Sequence, residues 1–198
     1  MRLNRFHTFL RHSAGPTGCL AAVVPIAWAT GIHSPVTSQS PPPGTDGGPR
    51  YVNVAGAAGL TFVHRQSPTP ERHYPESVPG GVAVFDYNAD GRPDIFFTNG
   101  AEMPGLTKTG DTYANRLYRN DGGMKFTDVT SAAGVAGAGY AMGAAAADYD
   151  NDGHVDLFVA GVARNQLLHN RGDGTFEDVT DRAGLGSGEW AAAACWFD

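Results

Sequence analysis

The chain has 198 residues, 41% of them apolar, with 14 Lys and Arg against 20 Asp and Glu. That apolar share excludes a wholly disordered chain, the length suits one or two ordinary domains, and 27 Gly with 13 Pro favour a turn-rich fold over long helices. Charge is unevenly placed: residues 1–50 carry four Arg and one Asp, whereas the remainder is net acidic, which excludes a nucleic-acid backbone as the natural partner.

Arg2, Arg5 and Arg11 precede an apolar run from Cys19 to Ile32 that contains the small-residue site Ala27-Trp28-Ala29. A basic start, a short apolar segment and a small-residue site are the layout of a secretory signal peptide, expected here over residues 1–29 with cleavage after Ala29. The run is too short for a membrane span, which needs about 20 apolar residues. Cys19 lies at the start of the run, in a poor context for lipid attachment. Residues 30–50 form a Pro-, Gly- and Ser-rich linker that cannot bury a core and is expected to be disordered. Once the leader is removed only Cys195 remains, so no disulfide within the chain stabilises the body at 51–198.

That body is repetitive. Asn115-Arg-Leu-Tyr-Arg-Asn120 through Phe126-Thr-Asp128-Val-Thr to Gly134 aligns without gaps to Asn165-Gln-Leu-Leu-His-Asn170 through Phe176-Glu-Asp178-Val-Thr to Gly184, a period of 50 residues. Gly81–Phe97 aligns to the segment leading through Asp148 to Val159 at an offset of 62. The difference is a longer stretch in the first copy, an insertion from about Thr98 to Ala114. A third start, Ala191 to Asp198, matches the run into Asp148. Upstream, Tyr51–Leu60 matches the Phe126–Val135 stretch and is expected to supply the outer strand and exit turn of an earlier unit.

Each repeat is expected to hold four short strands; in the first they are Val82–Phe85, Asp94–Thr98, Asn115–Arg119 and Lys125–Val129. Asn120-Asp121-Gly122-Gly123 and Asn170–Gly174 carry hairpin-turn residues. Four antiparallel strands per repeat make a propeller blade, and a Gly/Ala-rich first strand suits the crowded innermost position. The Ala run could also form a helix on propensity alone, but its partner copy Gly81–Phe85 has strand character. The fold class is therefore all-β, a partial β-propeller.

The loops after the first strands carry the chemistry. Asp86, Asn88, Asp90 and Asp94 in the first, and Asp148, Asp150, Asp152 and Asp156 in the second, place oxygen side chains at positions 1, 3, 5 and 9 around a Gly at position 6. Ca²⁺ takes six to eight oxygens, and the backbone carbonyls of Arg92 and His154 at position 7 would add one each, with those side chains pointing away. Asp198 opens a third loop. An EF-hand would need Glu at position 12, where Phe97 and Val159 stand, so these are EF-like loops set between strands. A single loop of this kind also suits a solvated turn, but two equivalent copies argue for a cation. Mg²⁺ fits less well because it retains its waters. The second loop has one carboxylate more and is expected to bind Ca²⁺ more tightly.

These loops, the Asn-x-Leu-Tyr-x-Asn…Phe-x-Asp-Val-Thr-x-x-Ala-Gly repeat, and the opening Ala-Gly-Leu-Thr-Phe-Val-His64…Pro-Glu76-Ser-Val-Pro-Gly80-Gly resemble the cartilage-acidic-protein/UnbV-type group of FG-GAP (VCBS) repeat proteins over residues 51–198. The resemblance implies a calcium-loaded, secreted or surface-exposed propeller, typically of seven blades, in which the metal is structural. Asn88 departs from the more usual Asp. Two complete blades cannot close a ring, so the sequence is expected to be the N-terminal part of a longer protein.

Other motifs are weaker. Arg171-Gly172-Asp173 spells an integrin-ligand tripeptide but occupies a hairpin turn. His64, His73, His154 and His169 lack the spacing of a helical zinc pair, and none of the common hydrolase, P-loop or dinucleotide fingerprints occurs. The leading expectation is a non-enzymatic Ca²⁺-binding adhesion or binding scaffold, secreted, periplasmic or on the cell surface. Its partner would be an extracellular protein or carbohydrate, without nucleic acid and without a membrane span after cleavage. An extracellular enzyme using Glu102, Lys108 or Asp111 of the insertion is the alternative, and a truncated product without independent function the third.

Overall fold

The computed structural model describes residues 49–78, 80–186, 188 and 190–197; the expected signal peptide, nearly all of the linker and Asp198 lie outside the described residues. Residues 50–198 form one compact unit built on two four-stranded antiparallel sheets, each a simple meander. The first contains β1 (Val82–Phe85), β2 (Asp94–Phe97), β3 (Arg116–Gly122) and β4 (Lys125–Asp128); the second contains β5 (Tyr140–Ala147), β6 (Asp156–Val162), β7 (Gln166–Asn170) and β8 (Phe176–Asp178). All-β architecture with four short strands per repeat fits a partial propeller.

The Ala-rich run is strand β5, not helix, and it pairs along its length with β6. Its composition answers a close approach. A Cβ added at Gly81, just before β1, would stand 2.8 Å from Gly143 Cα, and one at Gly143 would stand 2.8 Å from the Ala192 carbonyl oxygen. Successive first strands therefore touch backbone to backbone, which larger side chains would forbid. The start of each new repeat docks on its predecessor in the same way, with Ala141 N–H donating to Asn99 O and Ala191 N–H to Gly161 O, both at 3.1 Å. Residues 191–197 hold this third position and are not in a strand among the described residues.

The main core lies between the sheets. Phe96, Leu117, Val135 and Leu157 are fully buried there, and Tyr87 stacks on Phe176 at 6.4 Å. Burial of this kind supplies the main stabilisation, about 1.5–3 kcal/mol for each large apolar side chain. Alternation along β1 fits it: Ala83 and Phe85 are buried, while Val82 and Val84 face outward and are more than half exposed.

The recurring Asp-Val-Thr segment has a local cause. Thr130 Oγ1 accepts from Leu117 N–H at 3.0 Å and donates to Asp128, and Thr180 does the same with Leu167 N–H, at 2.9 Å, and Asp178. Each such Thr ties the outer strand to its neighbour and starts an exit turn. The turn closes through Ala133 N–H to Val129 O and Val135 N–H to Thr130 O in one repeat, and through Ala183 and Leu185 in the next. The same pair of bonds, Ala58 N–H to Val54 O and Leu60 N–H to Ala55 O, closes the upstream segment. Gly59, Gly134 and Gly184 all take positive φ at the matching place. The exit turn of an earlier unit is thus present. Its outer strand is not seen among the described residues, where Tyr51–Asn53 are exposed and pair with no strand.

The expected insertion at about Thr98 to Ala114 lies in the connection between β2 and β3, residues 98–115, where the second repeat needs only Ala163–Asn165. It holds one isolated bridge, Glu102 to Thr107. Lys108 fastens it, its ammonium donating to the carbonyls of Asn99, Gly100 and Tyr113 and to Asn115 Oδ1 at 2.6–3.1 Å. Burial pulls this group down to about 7. Among the described residues, no helix is long and apolar enough to cross a membrane.

Candidate metal centre

Both acidic loops connect the first and second strands of a sheet, and their side chains first serve the loop's own backbone. In loop 1, Asp86 accepts from Asp90 N–H at 3.1 Å and Gly91 N–H at 2.7 Å, and Asp90 accepts from Arg92 N–H at 2.9 Å. In loop 2, Asp148 accepts from Asp152 N–H at 3.1 Å and Gly153 N–H at 2.9 Å, and Asp152 accepts from His154 N–H at 2.8 Å. Gly91 and Gly153 take φ of 81° and 91°, the sharp turn required at position 6.

Position 9 is the pivot. Asp94 and Asp156 are completely buried. Asp94 accepts from Tyr87 N–H at 3.0 Å and Asn120 N–H at 2.7 Å, and Asp156 from Tyr149 N–H at 3.1 Å and Asn170 N–H at 2.7 Å. Each thereby ties its loop to the third strand. Burial raises both carboxyls above the usual range, against the pull of those backbone donors, and neighbouring carboxylates add to the rise. A cation would reverse that balance by favouring the ionised form.

Ligand-type atoms of Asp148, Asp150 and Asp156 lie within 4.8 Å of one another, as do those of Asp150, Asp152 and His169. Two atoms here are buried and lack any hydrogen-bond partner, Asn88 Oδ1 in loop 1 and His169 Nδ1 beside loop 2. Orphaned polar atoms among carboxylates fit a cation site, since an unsatisfied buried polar atom is otherwise costly. The donor set therefore fits the metal expected from the loop pattern. Asp86, Asn88, Asp90 and Asp94 would hold it in loop 1, and Asp148, Asp150, Asp152 and Asp156 in loop 2.

The position-7 residues differ from each other. His154 lies against Gly172, where an added Cβ would fall 2.3 Å from its Nε2. Arg92 does not point away as expected: its guanidinium turns back to Asp90 Oδ2 at 2.5 Å while Nε donates to Asn120 O at 2.7 Å. The cause is geometric, because the hairpin at Asn120 lies beside the loop and presents a carbonyl at the reach of an arginine.

Sequence reasoning set His169 aside and did not place it beside the second loop. Register supplies the signal: Leu157 pairs with Leu168 and Ile95 with Tyr118, so the next pairs outward are Asp156 with His169 and Asp94 with Arg119. His169 Nδ1 lies 3.2 Å from Asp156 Oδ1 and 3.4 Å from Asp150 Oδ2. Arg119 instead swings to Asp121, Nε to Oδ1 at 2.7 Å.

The insertion residues are engaged internally. Glu102 accepts from Thr109 at 3.1 Å, and Asp111 lines an open polar cavity of about 300 Å³ with Arg65, Arg116 and Asp128. Arg171-Gly172-Asp173 forms the β7–β8 turn, Asp173 capping Thr175 and Arg171 reaching Glu177 at 3.3 Å.

Twinned four-stranded units, each opening on an acidic loop and docking through glycine on the last, define a repeat protein of the propeller type. The FG-GAP-like repeat model matches residues 86–159 and 148–198, so each match begins at the first carboxylate of a loop. These matches cover more than half of the chain, which belongs to the FG-GAP-like repeat family. No curated protein matches it.

Proposed function

We propose that the protein is a secreted, calcium-stabilised propeller segment of the cartilage-acidic-protein/UnbV type that acts as a non-catalytic binding scaffold, within a longer chain. One observation carries this reading: two repeats present the same acidic loop, each pinned through a buried aspartate to its own sheet, with orphaned ligand-type atoms at both. Carboxylates held this close repel one another, and a Ca²⁺ ion removes that repulsion while fixing the loop. The metal's contribution is charge neutralisation and rigidity. The chain's own residues do the rest: Asp94 and Asp156 anchor the loops, and the Thr130 and Thr180 turns lock the outer strands. The exposed ends of the blades, including the insertion, then present a rigid surface to an extracellular protein or carbohydrate.

Native mass spectrometry of the full chain tests the metal part, with two Ca²⁺ expected per chain and one after Asp148→Ala. Retention of no Ca²⁺, or equal uptake of Mg²⁺, would contradict it. Incubation of the full chain with polysaccharide and ester panels tests the scaffold part, and turnover would overturn it.

A further inference from the structure

The first repeat carries a cavity at a place that the second repeat closes. Arg116 opens β3 where Gln166 opens β7, and Val63 follows the exit-turn glycine Gly59 at the same interval as Ala138 follows Gly134. In the second repeat these positions are bridged: Ala138 N–H donates to Gln166 Oε1 at 3.1 Å, and Gln166 Nε2 donates to Asp178 Oδ2 at 3.0 Å. In the first, no bond joins Val63 to Arg116 among the described residues. The guanidinium instead donates through Nη2 to the Asp111 carbonyl oxygen at 3.1 Å and stands 3.6 Å from Asp128 Oδ2. An open cavity of about 300 Å³ is left between the upstream segment, the insertion and β3, at the lower end of the range for small-molecule sites, about 300–1,000 Å³.

Its lining combines charge, hydroxyls and an aromatic wall. Arg116 spends only one of its guanidinium donors on a hydrogen bond. Arg65, exposed and also lining the cavity, has no side-chain partner among the described residues. Thr61 and Tyr118 share one long hydroxyl contact at 3.4 Å, which leaves both with hydrogen-bonding capacity. Phe62 stacks on Phe97 at 4.6 Å, which holds the apolar wall in place. Asp128 is committed through Oδ1 to Thr130 and through Oδ2 to Arg116, so two guanidinium groups face the single uncommitted carboxylate of Asp111. That balance is the reverse of its surroundings, since residues 51–198 hold ten Lys and Arg against nineteen Asp and Glu.

Hydroxyl-bearing side chains beside an aromatic ring suit a pyranose, and guanidinium groups recognise a planar carboxylate through paired hydrogen bonds. We infer that this cavity binds a uronic-acid unit of an acidic polysaccharide, with Arg65 and Arg116 on the carboxylate and Asp111, Thr61 and Tyr118 on the ring hydroxyls. The inference rests on the scaffold reading proposed above and names its partner. It puts recognition at the insertion, the part of the first repeat that the second lacks.

The test is titration calorimetry and saturation-transfer NMR of the full chain in Ca²⁺ with oligogalacturonate and oligomannuronate, beside the same oligosaccharides after carboxyl reduction and an oligoglutamate peptide. The expected result is binding of a carboxylated oligosaccharide, weakened at least tenfold by carboxyl reduction, by Arg65→Ala, and by Arg116→Gln, which installs the residue of the second repeat. Arg171→Ala, in the β7–β8 turn, should leave it unchanged. Circular dichroism in Ca²⁺ confirms that each variant is folded. Binding that ignores the carboxylate or both arginines, or none to any oligosaccharide, overturns this inference and spares the scaffold reading. Preference for the oligoglutamate peptide also overturns it and leaves the scaffold a protein partner. Release of shortened oligosaccharides overturns the non-catalytic reading, while binding that depends on the two arginines sustains the cavity as the site.

Discussion

Replacing Asp94 by Ala separates the anchoring role of position 9 from metal ligation. Asp94 is completely buried, and its two oxygens accept the Tyr87 and Asn120 N–H groups at 3.0 and 2.7 Å. Alanine leaves both backbone donors unsatisfied, and each buried donor so stranded costs about 1–3 kcal/mol. Tyr87 lies in the loop and Asn120 on β3, so two separate donors are stranded and the loss is expected near the middle of the combined range, about 3–5 kcal/mol. For a body of this size that lowers the melting temperature by roughly 10 °C. Urea unfolding with excess EDTA and again with excess Ca²⁺ is the assay. The destabilisation should persist in EDTA and grow in Ca²⁺. A variant within about 1 kcal/mol of the parent in EDTA would refute the anchoring argument and reduce Asp94 to a ligand.

Other consequences follow from the same geometry. Gly81→Val should destabilise by about 1–3 kcal/mol, since its Cβ would meet the backbone of Gly143 at 2.8 Å; Val82→Ala next to it, on the exposed face, should lie within about 0.5 kcal/mol of the parent. Lys108 is held at about 7 by burial, below its unfolded value, so the unfolded chain binds the extra proton between pH 7 and 10. Stability should therefore rise with pH across that window, by up to about 1.4 kcal/mol per unit, and the rise should be absent in Lys108→Met; an unchanged slope in the variant would place the titration elsewhere. Single-loop variants should rank the sites, with Asp148→Ala removing the tighter Ca²⁺ and Asp86→Ala the weaker. Equal affinities in calorimetry would discard the charge-count argument.

Much of the fold was legible in the sequence because repetition writes the same physical demand twice. Phe-x-Asp-Val-Thr recurs because a threonine must serve both a neighbouring N–H and the aspartate before it, and Ala/Gly recurs in the first strand because backbones touch there. Strand limits in the first repeat fall within a residue or two of expectation except at β3, which runs on to Gly122 into its bulged hairpin. What the sequence concealed depends on register and on side-chain reach. His169 lies 13 positions after Asp156 and meets it only once β6 and β7 are paired. Arg92 returns to its own loop because the β3–β4 hairpin offers it the Asn120 carbonyl. Lys108, weighed in sequence as a catalytic candidate, closes the insertion with bonds to four oxygens, three of them backbone carbonyls that carry no mark in a sequence.

The most direct test of the two-loop metal scaffold is thermal unfolding of the full chain against Ca²⁺ and Mg²⁺, beside the double variant Asp148→Ala, Asp152→Ala. Ca²⁺ at a hundredfold excess over its dissociation constant should stabilise the chain by about 2.7 kcal/mol per site, with one site's share lost in the variant and Mg²⁺ far weaker. A folded chain whose unfolding ignores Ca²⁺, or responds equally to Mg²⁺, would contradict it.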